Sequence, residues 1–220
     1  MAEMLTVPES FALLQTTPDG RRSANATRFD LGLAGAVLSD LALRNAVTLH
    51  VDRVVLASGA PTGNQVLDTA LGSIAAAPQH PAEWWVRHLG NGSLREAVLA
   101  GLVQRGTLAE ERRRTLLLFT TTRHPERDGG PEALVRSAVA DVLAGHAAPS
   151  AYTATLIGLL DATNTLVAQF GPVDREHVRA VVTGDWASPA VRSVLAQIQQ
   201  VAVGAATSAA MTSVIVSTNS

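Results

Sequence analysis

The stretch from Phe29 to Asn45, FDLGLAGAVLSDLALRN, limits the fold more than any other part of the chain. Leu31, Ala34, Leu38 and Leu41 recur at helical spacing, and Leu33 and Val37 fill a second face. Only Ser39 and Asp40 interrupt the apolar surface before Arg44, so this helix has to be buried on most of its sides. Gly32, Gly35 and the alanines beside them lower helix propensity, but they let neighbouring backbones come close. Asp30 is placed to cap the start, and Asn45 stands where a left-handed residue closes a helix. Such a helix needs others packed around it.

Composition agrees with a packed core. Hydrophobic residues make up 47% of the 220 and charged residues 16%, which excludes a disordered chain. Aromatics are only 4%, so Ala, Leu and Val must build the interior. A formal net charge of -2 gives no bulk attraction to nucleic acid or to anionic membrane, and any such binding needs a local patch. The absence of cysteine excludes disulfides, thiolate metal sites and cysteine nucleophiles. All 17 basic residues are arginines, a bias expected of a GC-rich genome. The N-terminal MAEMLTVPESF shows no basic-then-apolar order, so no signal peptide is expected and the chain reads as cytoplasmic.

Local signals place the remaining elements. Thr6 and Glu9 form a capping box for a short helix to about Gln15, and Thr17-Pro18-Asp19-Gly20 is turn chemistry before a polar loop from Arg21 to Thr27. After the central helix, Val47, Leu49 and Val51 alternate, the chain turns at Asp52-Arg53, and Val54-Val55-Leu56 completes a hairpin. Further helices are expected at Val66–Ile74, at Pro81–Leu89 with Trp84 and Trp85, and at Leu94–Gln104 behind a second capping box, Ser93 and Glu96. Thr115 to Thr121 reads as a strand, with a polar tip at Glu126-Arg127-Asp128. Pro131 opens a helix that Gly145 closes, and an apolar helix from Ser150 reaches Val167. A short helix covers Asp174–Thr183, and a long one runs from Ser188 toward Val216. From Ser193 to Ser220 there is no charge, and the glutamines at 197, 199 and 200 favour a buried helix over a membrane span. With no long linker, residues 1–220 read as one mainly α domain with small β-hairpins.

Candidate chemistry is sparse. The six histidines have no metal-ligand spacing, no Gly-x-Ser-x-Gly elbow occurs, and Gly59-Ala60-Pro61-Thr62-Gly63 lacks a P-loop lysine. No metal, no cofactor and no enzymatic activity are expected. The central helix is too apolar to read DNA, so nucleic acid is not an expected partner. Arg95 stands in the first turn of its helix, where a cation opposes the macrodipole. It is either a solvated side chain over its neighbours or, with the Gly90-Asn91-Gly92-Ser93 loop, a phosphate ligand. Arg112-Arg113-Arg114 is either a lipid contact or a charged face balanced by Glu110 and Glu111. On a helix the adjacent Trp84 and Trp85 point about 100° apart, so at most one is fully buried.

The ordered set of Leu31–Asn45, Ala60-Pro61-Thr62-Gly63 with Leu67-Asp68, Arg105-Gly106-Thr107-Leu108 and Leu118–Pro125 resembles the Golgi phosphoprotein 3 family. The resemblance runs from about Leu5 to the C-terminal helix. It implies a mostly helical adaptor that binds phosphatidylinositol 4-phosphate on a membrane face, recognises protein tails and carries a hairpin for membrane contact or self-association. The family's headgroup pocket uses a Trp and an Arg at the central helix and two Arg around the start of a later one. These positions correspond here to Asn25, Ala34, Gly92 and Arg95, and only Arg95 keeps the family residue. The implied function is therefore a peripheral membrane-associated protein that binds anionic lipid headgroups. The alternative is a lipid-independent adaptor or oligomeric scaffold for protein tails.

Overall fold

The computed structural model describes residues 5–21, 25–77, 79–115, 119–185 and 196. The first helix, α1 (Val7–Leu14), opens with the expected capping box. The Glu9 amide donates to Thr6 Oγ1 at 3.3 Å, and the Glu9 carboxylate takes the Thr6 amide at 2.8 Å. The connection that follows turns at Gly20, whose φ of +76° suits glycine and little else.

The central helix, α2 (Ala26–Leu43), starts earlier than its apolar pattern. Asn25 caps it by accepting from the Arg28 amide at 2.8 Å, so Asp30 lies inside the helix and caps nothing. Ala26 and Thr27 at its start are exposed and carry no apolar spacing, which hid the start from a reading built on that spacing. Every residue from Leu31 to Ala42 is buried. Asp40 is tolerated there because its Oδ2 accepts from the Val7 amide at 2.7 Å and its Oδ1 pairs with Arg44 at 2.5 Å. Asn45 adopts the left-handed conformation expected of it, with φ 55°.

Strands β1 (Val47–His50) and β2 (Arg53–Leu56) form the expected hairpin, with the turn at Val51-Asp52, one residue earlier than read from the sequence. A two-residue strand, β3 (His80–Pro81), adds to β2 and was not anticipated. Between them lies α3 (Gln65–Ala76), and α4 (Ala82–Leu89) follows. Trp85 is buried and Trp84 is 37% exposed, stacked between the rings of His80 and His88. Helix α5 (Gly92–Gln104) is capped by Asn91, whose side chain accepts from the Ser93 and Leu94 amides at 3.0 and 3.2 Å. That cap displaces the expected Ser93–Glu96 box.

The region after α5 corrects the sequence reading. Strands β4 (Glu111–Thr115) and β5 (Phe119–Arg123) pair antiparallel, with Thr115 opposite Phe119. The chain therefore reverses inside the stretch expected to be one strand. A reversal without Gly, Pro or Asn leaves no local signal. Glu126-Arg127-Asp128 is not a hairpin tip: the amides of Arg127 and Asp128 donate to the Thr107 carbonyl at 3.0 and 3.1 Å.

The last described elements are α6 (Gly130–Leu143), α7 (Ala151–Ala162), α8 (Leu166–Phe170) and α9 (Arg175–Thr183). The helix expected to run unbroken from Ser150 to Val167 breaks at Asn164, which has φ 56°. The helix expected from Ser188, and the uncharged stretch after Ser193, lie outside the described residues save for residue 196. The described chain is thus mainly α, with nine helices, α2 the central one, and two small antiparallel sheets, as the sequence predicted. Among the described residues no helix is long and apolar enough to cross a membrane.

Candidate functional site

The start of α2, the middle of α5 and the outer ends of β4 and β5 enclose a cleft of about 760 Å³. Gly20 brings the α1–α2 connection against the end of β5. A Cβ at Gly20 would lie 2.7 Å from the His124 carbonyl carbon and the Pro125 nitrogen. The Glu126 amide reinforces this by donating to the Pro18 carbonyl at 3.0 Å. Two connections that would otherwise be free are thereby fixed as one wall.

Arginine dominates the lining. Arg21, Arg95, Arg112 and Arg123 face two carboxylates, Glu96 and Glu110, and His124 stands beside them. Arg112 pairs with Glu110 at 2.9 Å, and Arg21 pairs with Asp19 at 2.9 Å outside the lining. The Thr17 hydroxyl, helped by Arg21, holds the Asp19 carboxyl below its ordinary range. Among the described residues Arg123 makes no ion pair. Burial lowers the His124 pKa and so favours the neutral imidazole, opposed by Glu110.

Of the sequence-derived positions, Asn25 and Arg95 line this cleft together. Gly92 does not line it but lies against Arg95, with its Cβ position 3.1 Å from Arg95 Nη2. Ala34 is fully buried in the core, one turn beyond Asp30 on α2. Arg95 is not a freely solvated side chain. Its Nη1 donates to both carboxylate oxygens of Asp30, at 2.5 and 2.7 Å. The amides of Ser93 and Leu94 are already taken by Asn91, so the helix start offers a phosphate little.

The early start of α2 also puts Arg28 in its first turn, a residue that reading from the apolar spacing missed. Its Nε is buried and has no hydrogen-bond partner among the described residues. A second cleft of about 770 Å³ lies between α3 and α5. Amides, hydroxyls and apolar side chains line it, and its charged groups, Glu9 and Arg105, are 3.1 Å apart. Anion chemistry therefore belongs to the first cleft. Among the described residues no group of His, Asp or Glu could hold a metal ion.

The family model described as Golgi phosphoprotein 3 (GPP34) matches residues 7–198. The chain belongs to the Golgi phosphoprotein 3 family. The match takes in α1 through α9, so both walls of the arginine-lined cleft lie within the Golgi phosphoprotein 3 domain. It also takes in the hairpin β4–β5, whose outer ends supply Arg112, Arg123 and His124 to the cleft.

Proposed function

We propose that this Golgi phosphoprotein 3 family member is a non-enzymatic peripheral membrane protein that binds anionic lipid headgroups in the cleft beside Arg95. The observation that carries the reading is the convergence of Arg21, Arg95, Arg112 and Arg123 on one cleft in a chain of net charge -2. Local concentration of positive charge supplies what the bulk charge does not, at about 1 kcal/mol per basic residue near an anionic surface. Guanidinium groups also match the oxygens of a phosphate in two-point contacts.

The hairpin supports the same reading. In the sequence, Leu116-Leu117-Leu118 stand one residue beyond Arg112-Arg113-Arg114. A leucine triplet beside a basic run is the composition that partitions into a headgroup boundary.

Sedimentation with vesicles tests the proposal. Vesicles of phosphatidylcholine alone, with phosphatidylserine, or with phosphatidylinositol 4-phosphate separate neutral, general anionic and phosphoinositide binding. Binding to anionic vesicles that weakens with salt and with Arg123→Ala is the expected result. Binding to none of them refutes it.

A second reading has its own observation. Among the described residues the sheet of β4 and β5 has two strands, and a further strand would add at its edges. An adaptor or scaffold that pairs through these edges, with protein tails or with a second copy, would show mass above the monomer without lipid.

A further inference from the structure

We propose that Asp30 is a built-in competitor for Arg95, which sets an affinity threshold that phosphomonoester dianions pass and phosphodiester monoanions do not. The inference rests on the headgroup reading above and names the ligand class of that site.

The pair is positioned before any ligand arrives. Asp30 and Arg95 are brought together from helices 65 residues apart in sequence, and their side chains are only 13% and 21% exposed. Two glycines make the approach available. At Gly90 a Cβ would lie 3.1 Å from Leu31 Cδ2 and 3.3 Å from the Asp30 carbonyl oxygen, so the turn between α4 and α5 lies directly on α2. At Gly92 a side chain would press on the Arg95 guanidinium, 3.1 Å away. The carboxylate then holds Nη1 with both oxygens, as two oxygens of a phosphate would.

Competition follows from this geometry. An incoming anion gains Arg95 only by displacing Asp30, which is tethered and has no association entropy to lose. A phosphodiester carries one negative charge, the same as the carboxylate it must replace, so the exchange gives it little. A phosphomonoester carries about -1.5 to -2 at pH 7 and keeps a further oxygen for Arg123 or Arg112. Its larger attraction to the other arginines of the cleft offsets the lost pair. The threshold lowers affinity for both classes; only the stronger ligand remains bound at ordinary lipid density. The shared chemistry is a phosphomonoester, whether on a lipid or free in solution.

The test uses Asp30→Asn, Arg95→Gln, the double variant and Glu96→Gln. Probes are phosphatidylcholine vesicles carrying phosphatidylserine (a diester) or phosphatidic acid (a monoester), with inorganic phosphate by calorimetry as the soluble arm. Thermal melts confirm that each variant is folded. The expected result is that wild type sediments with phosphatidic acid and not with phosphatidylserine at the same lipid density. Asp30→Asn should bind both, tightened about tenfold, and Arg95→Gln in the same chain should remove the gain. Glu96→Gln deletes the same charge from the same cleft without touching the pair, and should tighten binding far less.

Binding by Asp30→Asn equal to wild type, while Arg95→Gln weakens it, overturns the competitor and leaves the headgroup site standing. A gain that persists in the double variant, or that Glu96→Gln reproduces, also overturns it by showing only a change of net charge. If no variant binds any vesicle or inorganic phosphate, the headgroup reading falls and this inference with it. A gain confined to the soluble arm assigns the monoester to a free phosphate compound, not to a membrane.

Discussion

Gly32→Ala and Gly72→Ala make the same chemical change in two helices, and the packing around each gives it opposite signs. Both glycines lie inside helices, where alanine is favoured by about 1 kcal/mol. Around Gly72, exposed on α3, a Cβ meets nothing within 4 Å, so the variant should keep that gain and be roughly 0.5–1 kcal/mol more stable. At Gly32 the new Cβ would lie 2.3 Å from Phe11 Cζ, 2.7 Å from Phe11 Cε1 and 3.0 Å from the Thr163 methyl. The ring has nowhere to retreat: Phe11 is fully buried and packs against Phe29 with centroids 6.2 Å apart. Overpacking of this kind costs about 1–3 kcal/mol. Set against the propensity gain, a net loss of roughly 1–2 kcal/mol is expected. Urea unfolding followed by circular dichroism should show the two midpoints moving in opposite directions at unchanged slope. The thermal midpoints should separate by several degrees, at about 2–4 °C per kcal/mol for a chain of this size. Phe11→Leu combined with Gly32→Ala should lose less than the two single changes together, because the ring is the obstacle. A Gly32→Ala variant as stable as wild type would refute the claim that this glycine exists to let α1 lie on α2.

Three further outcomes are expected. Val51, 79% exposed with φ 47° at the β1–β2 turn, is a β-branched residue in a conformation that suits Asn or Gly, so Val51→Asn should raise stability by about 1 kcal/mol in the same unfolding assay. Burial pushes Tyr152 up to about 12, partly offset by its hydrogen bond with Ser10. The unfolded phenol ionises first, so stability present below about pH 10 should fall by roughly 2–3 kcal/mol as pH rises toward 12, and Tyr152→Phe should flatten that limb of the curve. For His124, burial favours the neutral ring, so the stability it contributes is present above about pH 6.5 and declines as pH falls toward its lowered folded value. A phosphate in the cleft would favour the protonated ring. Binding to phosphatidylserine vesicles by Asp30→Asn should therefore strengthen as pH falls, and should strengthen less when His124→Gln is added.

Where the determining interaction spans only a few residues, the sequence was sufficient. Thr6 and Glu9, Asn45, Gly145 and Ser150 each terminate or open a helix as read, because caps and left-handed residues act within one turn. The apolar spacing of Leu31 to Leu41 identified the helix on which the others pack, since only burial on most sides accommodates it. The order of motifs along the chain identified the family.

Interactions between distant segments were not legible. Asp30 looked like a cap because its partner, Arg95, lies on another helix; Asn91 took over the start of α5 because its side chain reached two amides that Ser93 and Glu96 were expected to serve. The reversal between β4 and β5 left no turn residue to mark it. Ala34, which stands where the family has a pocket arginine, is buried in the core, and packing gathered Arg21, Arg112, Arg123 and His124 around Asn25 and Arg95. The amino-acid sequence by itself determined a mainly helical chain of this family, through local caps and one apolar helix. Tertiary structure alone decided which charges meet, because a cleft is assembled from segments whose separation along the chain says nothing about their distance in space.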